Sequence, residues 1–210
     1  MYKGAIQTVN SEKKGLQLRE IIVMASISVV FGVLYLVWIF FGQIVNGLLG
    51  PVVWKLVAGM WVMAPIVCAY IIRKPGVALI AEMIAAGTEI MVGSVSAGVV
   101  LVLGLTQGLG VELVFALFLW RSYRLPTLML AGMMGMLANF MTIYVIYGYS
   151  QYSTVIVILM LVALLLSGAL FAGWGSKGIA DALNRTGVLN NFALGRITRQ
   201  KVQDHAVDHH

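Results

Sequence analysis

At 210 residues with 60% hydrophobic and 10% charged content, and a mean hydropathy of +0.95, the chain is too apolar for a soluble domain and reads as an integral membrane protein. The net charge of +6 argues for no nucleic-acid partner, because almost all of the 14 Lys and Arg cluster outside the long apolar runs, as topology control requires. The single cysteine, Cys68, excludes a disulfide within the chain and sits in an apolar run as a small hydrophobe.

Residues 1–18 are polar and basic, with Lys3, Lys13 and Lys14. No small-residue cleavage site follows the first apolar run, so they are expected to form a cytoplasmic N-terminal segment rather than a signal peptide. The run 20–41 is long enough for one span, since about 20 helical residues cross the hydrocarbon core. Residues 42–53 mix Gly, Pro, Gln43 and Asn46 with apolar residues and carry no charge, which predicts a loop dipping back into the bundle. Trp54 opens a second span, 54–72, closed by an RKPG turn at 73–76 whose basic pair marks the cytoplasmic side. Further spans are expected at 76–92, 98–120, 126–148 and 154–174, separated by GSVSAG, by WRSYR with its two arginines, and by the polar stretch YSQYS. A basic cytoplasmic tail, 177–204, follows, and residues 205–210, ending VDHH, read as a tag remnant.

The expected fold is therefore an all-α integral membrane protein. It has one membrane domain, 19–176, six transmembrane helices and both termini cytoplasmic. Arg73, Lys74, Arg121, Arg124 and Lys177 fall on one side of the membrane, while the loops at 42–53, 93–98 and 148–153 carry no Lys or Arg. Lys55 stands apart at the outer end of the second span and reads as a snorkelling side chain.

Three glutamates, Glu82, Glu89 and Glu112, lie in apolar segments without a neighbouring cation. A charged carboxylate at the membrane centre costs roughly 2.5–3.5 kcal/mol on insertion scales, so each needs a partner or a purpose. Counted from the inner ends at about 1.5 Å per residue, Glu89, Gln107 and Asn139 all stand about 20 Å up, with Trp61 near the same level. Small residues share their helix faces: Ala81, Ala85 and Glu89 are spaced by four, as are Gly104, Gly108 and Glu112, and Ala131, Gly135 and Asn139. Such stripes face other helices rather than lipid. Glu82, about 9 Å from the inner end, is within reach of Arg73, Lys74 or Arg121 and is expected to be a structural ion pair. Gln107 and Glu112 are about 140° apart around a straight helix and cannot both point at one centre. Glu112 therefore stays open between structural bonding and ligand contact.

Glu89 and Asn139 rank first as ligand-binding residues, followed by Gln107, Glu112, Trp61, Tyr147, Tyr144, Gln43 and Asn46. Carboxylate, amide and aromatic groups in this pattern suit a small cationic or hydrogen-bonding solute, with ring faces adding cation–π attraction. There is no GxxxxGK[ST] loop, no His in the apolar spans and no Cys/His cluster. ATP hydrolysis by the chain, metal chemistry and a cofactor are therefore not expected, and the chain is read as a transport subunit rather than an enzyme.

The RKPG tetrad at 73–76, Glu82 and Glu89 after it, the QGLGVELVFAL stretch at 107–117 and the basic tail make the chain resemble the substrate-binding S components of energy-coupling factor vitamin transporters, of the YkoE type. The resemblance covers about residues 15–200. It implies a subunit of the bacterial cytoplasmic membrane that captures thiamine or its hydroxymethylpyrimidine moiety from outside. It further implies a transmembrane coupling subunit and two ATPase subunits as partners, with delivery by toppling in the membrane. The family's AxxxA coupling motif on the first helix is not matched here; Ala25, with Ser28 and Gly32 as an alternative small pair, is the candidate coupling surface. A proton-coupled secondary carrier using Glu89 or Glu112 is the alternative.

Overall fold

The computed structural model describes residues 15–94 and 96–207, the last seven by backbone alone, and these residues are helical without a strand. Residues 1–14 of the expected N-terminal segment and 208–210 of the expected tag remnant lie outside the described residues. In chain order the elements are α1 (Leu18–Leu49), α2 (Pro51–Val57), a 3₁₀ segment (Ala58–Val62), α3 (Met63–Ile72), α4 (Val77–Val92), α5 (Ala97–Leu117) and α6 (Leu125–Ile146). A short 3₁₀ turn (Tyr149–Gln151), α7 (Thr154–Ser167), a π-helical segment (Gly168–Gly175), α8 (Ser176–Arg185) and α9 (Ala193–Val207) complete it.

Among the described residues five stretches are long and apolar enough to cross a membrane: Leu18–Leu49, Pro51–Ile72, Ala97–Leu117, Leu125–Ile146 and Thr154–Arg185. The chain is a multi-pass membrane protein. α4, with 16 residues, spans about 24 Å and is shorter than these; it packs against α1, α3 and α5.

Three boundaries differ from those expected, each for a local reason. α1 does not stop at 41. It continues for 32 residues, because residues 42–49 hold no proline and no charge to break it, and it ends where Gly50 turns to φ +83° ahead of Pro51. The second span is not one α-helix. Pro65 has no N–H to donate into the preceding turn, and the backbone just before it tightens to 3₁₀ over Ala58–Val62. Side chains satisfy the donors this leaves over: Gly59 N–H donates to Ser167 Oγ at 2.7 Å, and Ala64 N–H to the Tyr35 hydroxyl at 3.1 Å. The last span does not end at 174 either, because nothing terminates the helix before Gly187 at φ +83°.

All ten residues of α3 are buried, so the second span is the central post of the bundle. Its neighbours close in where side chains are absent. A Cβ on Gly132 would stand 2.0 Å from the Gly168 carbonyl oxygen, so α6 and the π-segment touch backbone to backbone. At the α3–α4 turn, Arg73 takes φ +57° and its guanidinium lies 5.2 Å from the Tyr70 ring centre and 5.0 Å from that of Tyr123. Lys74 pairs with Glu20 at 2.9 Å, and Tyr70 donates to Asp181, which also pairs with Lys177. Pro75 lies in the turn itself, ahead of the first residue of α4.

Candidate functional site

A cavity of about 620 Å³ opens among α1, α2, α4, α5 and α6 at the end of the bundle opposite the Arg73 turn. It falls in the size range of small-molecule sites. One face of α4 supplies Glu82, Ala86 and Glu89, at spacings of four and three that stack them along the helix. α5 contributes Gln107 and α6 contributes Asn139, both buried. The structure thus brings Glu89, Gln107 and Asn139 together from three helices, as their matched depths require.

Aromatic rings form much of the remaining wall. Trp61, in the 3₁₀ segment, meets Trp54 edge-on with centres 5.1 Å apart. Trp54 reaches that place because α1 has Gly42 opposite it; a Cβ there would lie 2.0 Å from the indole. Gln43 and Asn46 line the same side, from the part of α1 expected to be loop. Tyr147 lines the cavity near its mouth, with Tyr149 and Tyr152, whose rings follow one another at 6.4 and 5.7 Å.

The three glutamates have separate fates. Glu89 lines the cavity, has Ser94 as its hydrogen-bonding neighbour, and makes no ion pair among the described residues. Glu82 corrects the expectation of an ion pair with the turn. It is 2% exposed, lines the cavity two turns below Glu89 on the same face, and accepts a hydrogen bond from the Tyr35 hydroxyl at 3.3 Å. The nearby cations are committed elsewhere, Arg73 between two tyrosine rings and Lys74 to Glu20.

Glu112 does not line the cavity. Its carboxylate accepts from the backbone N–H groups of Gly76 at 2.7 Å, Ala78 at 3.0 Å and Leu79 at 3.4 Å, and from Trp120 Nε1 at 2.7 Å. α4 begins after a glycine, which has no side chain to cap it, so Glu112 from α5 satisfies its first amides and meets the positive end of its dipole. The 140° separation from Gln107 resolves in this way: Gln107 faces the cavity and Glu112 faces a helix end.

Two further expectations are corrected. Tyr144 does not line the cavity; five residues beyond Asn139, it points away and packs beside Phe140. Ser28 and Gly32 are closed inside the bundle, Ser28 beside Cys68 and Gly32 so close to α4 that a Cβ would stand 2.5 Å from the Ala85 carbonyl oxygen. They offer no surface to a partner, and Ala25 beside them is half-buried.

Sequence reasoning missed Lys55. It lines the cavity at 7% exposure, with Nζ 5.5 Å from the centre of the Tyr149 ring. Burial pushes the Tyr149 phenol up to about 12, so it faces the ammonium as a neutral ring. The available signal was that Lys55 is the one cation away from the basic clusters. Tyr35, Trp54 and Tyr149 were missed too, and nothing in their local sequence marks them.

The profile of the family described as "ABC-type cobalt transport system, permease component" matches residues 19–138. The "Putative HMP/thiamine permease protein YkoE" of Bacillus subtilis (strain 168) is 44% identical over 188 residues, covering 90% of this chain and 94% of that protein. A crystal structure of an S-component of an ECF transporter superposes with a TM-score of 0.89 at 42% identity, covering 93% of this chain and 99% of that one. Profile, sequence and fold agree over most of the chain, which therefore belongs to the ABC-type cobalt transport permease-component family and, within it, to the YkoE-type S components of energy-coupling factor transporters.

Proposed function

We propose that this chain is the substrate-capture subunit of an ATP-driven vitamin importer, taking thiamine or its hydroxymethylpyrimidine half from outside the cell. The observation that carries this reading is Glu89. It is a buried carboxylate without an ion pair among the described residues, on the wall of a cavity shared with Gln107, Asn139, Trp61 and Trp54. A thiazolium cation would supply its missing charge, aminopyrimidine N–H groups would donate to carboxylate or amide, and indole faces would attract the cation. The name of the Bacillus subtilis relative supports the same ligand class. The family's description names cobalt, but no three His, Cys, Asp or Glu among the described residues are grouped to hold a metal ion, so the site suits an organic solute better.

In this reading α4 is the sixth crossing segment. Both chain ends and the Arg73 turn lie in the cytoplasm, and the cavity opens outward in the bacterial cytoplasmic membrane. The chain would recruit a transmembrane coupling subunit and two ATPase subunits. With Ser28 and Gly32 inside the bundle, the docking face would be the exposed side of α1 or α4 rather than those residues.

Calorimetry of the purified protein with thiamine and with hydroxymethylpyrimidine tests the ligand, and the expected result is saturable binding of at least one. Uptake in cells with and without the coupling and ATPase subunits tests the energy source. Uptake that vanishes without them supports the importer. Full proton-driven uptake by this chain alone would sink it in favour of a secondary carrier working through Glu89.

A further inference from the structure

The cavity holds charges of both signs that do not neutralise one another. Glu82 and Glu89 stand on α4, where their hydrogen-bonding neighbours are Tyr35 and Ser94. Lys55 stands on α2 and forms no ion pair with either, although all three line one cavity. Lys55 is 7% exposed as a residue, and its Nζ has the Tyr149 ring as its charge-stabilising contact among the described residues. An ammonium on the wall of an apolar bundle that faces a ring and no carboxylate is poorly compensated, because a cation–π contact returns less than desolvation removes. In a binding cavity the ligand can complete such a group.

We propose that the Lys55 end of the cavity is an anion subsite, and that the chain accepts the phosphate monoester of its ligand, with the basic ring on the α4 carboxylates and the phosphate on Lys55. This rests on the ligand class proposed above. The observation that carries it is the polarity of the chamber: carboxylates along one wall, a buried ammonium on another. A ligand cationic along its whole length would be repelled by that ammonium; one basic at one end and anionic at the other matches both walls. Phosphate suits this end for two reasons. The amide of Asn46, near the end of α1 that packs against α2, lines the same chamber and can donate to its oxygens. Tyr147 and Tyr152 beside it are exposed, so a dianion there keeps part of its hydration. The ligands proposed above carry a primary hydroxyl, and its ester is the group that would extend toward this end.

The test is calorimetric binding of thiamine, thiamine monophosphate, hydroxymethylpyrimidine and its monophosphate to the wild type, Lys55→Met and Lys55→Arg in one detergent. Thermal unfolding confirms that each variant is folded, and Lys55→Gln replaces the methionine variant if that one unfolds. In the wild type each monophosphate is expected to bind no more than about threefold more weakly than its parent alcohol. Lys55→Met is expected to weaken the monophosphates at least tenfold while moving the alcohols less than threefold, and Lys55→Arg to restore most of the loss. Monophosphates already tenfold weaker in the wild type, or losses equal for ester and alcohol, would overturn the subsite. Thiamine or hydroxymethylpyrimidine binding that survives such a result leaves the capture function standing. Failure of all four compounds to bind the wild type overturns both.

Discussion

Two carboxylates on neighbouring helices show how the ends of this bundle differ. At the Arg73 end, Glu112 is saturated: three backbone amides and an indole N–H converge on it, while Glu20 holds Lys74 and Arg73 lies between two rings. At the cavity end, Glu89 and Lys55 have no ion pair among the described residues, and Glu82 accepts one long bond from Tyr35. The same side-chain chemistry is spent on helix termination at one end and left open at the other. Charges buried with all their partners hold a fold together, whereas charges buried without them mark where something else must bind.

Glu112→Ala should have the largest effect. It strands the amides at the start of α4 and the Trp120 N–H, and buried donors left without partners cost about 1–3 kcal/mol each, so a loss of roughly 3 kcal/mol or more is expected. Thermal unfolding reads this as a markedly lower midpoint, while the affinity of the surviving folded protein for thiamine stays within about threefold. Unchanged stability would break the contrast between the two ends.

Glu89→Gln should do the reverse. The fold keeps its midpoint, and the affinity for thiamine falls about 10- to 100-fold, equivalent to roughly 1.4–2.8 kcal/mol. Calorimetry showing wild-type affinity would remove Glu89 from the ligand site and leave the cavity end without its distinguishing group.

Tyr35→Phe probes the link between the regions, because its hydroxyl both receives the Ala64 N–H and donates to Glu82. About 1–2 kcal/mol of stability should be lost together with a few-fold loss of affinity, the two measured in parallel by unfolding and calorimetry. Ser167→Ala removes the acceptor for the Gly59 N–H at the 3₁₀ break and should cost about 1 kcal/mol with little change in binding. A large binding defect there would mean that the break itself shapes the cavity more than its side chains do.

Much of the architecture was legible because apolar run length and the absence of charge are local properties. The membrane class, the bounds of α5 and α6 to within a few residues, and the turn at RKPG follow from them. Helix ends were less legible where no strong stop signal marks the chain. α1 runs through Gln43 and Asn46 because its breaker is Gly50 with Pro51, and the rod from Thr154 passes Trp174 because its breaker is Gly187. The 3₁₀ break before Pro65 escaped because it depends on acceptors from Tyr35 and Ser167, far away in sequence.

The sequence by itself determined the membrane character, the family resemblance and the shared level of Glu89, Gln107 and Asn139, since rise along a helix depends only on residue count. Only the tertiary structure decided what each buried charge meets. Glu82, expected to pair with arginines, turns to the cavity and Tyr35; Glu112 caps a helix from another element; Lys55, read as snorkelling, closes over Tyr149 inside the site. Depth is a one-dimensional quantity that residue spacing encodes. The azimuth of each helix and the choice of its neighbours are set by packing contacts such as Gly132 on Gly168, between residues remote from one another in sequence.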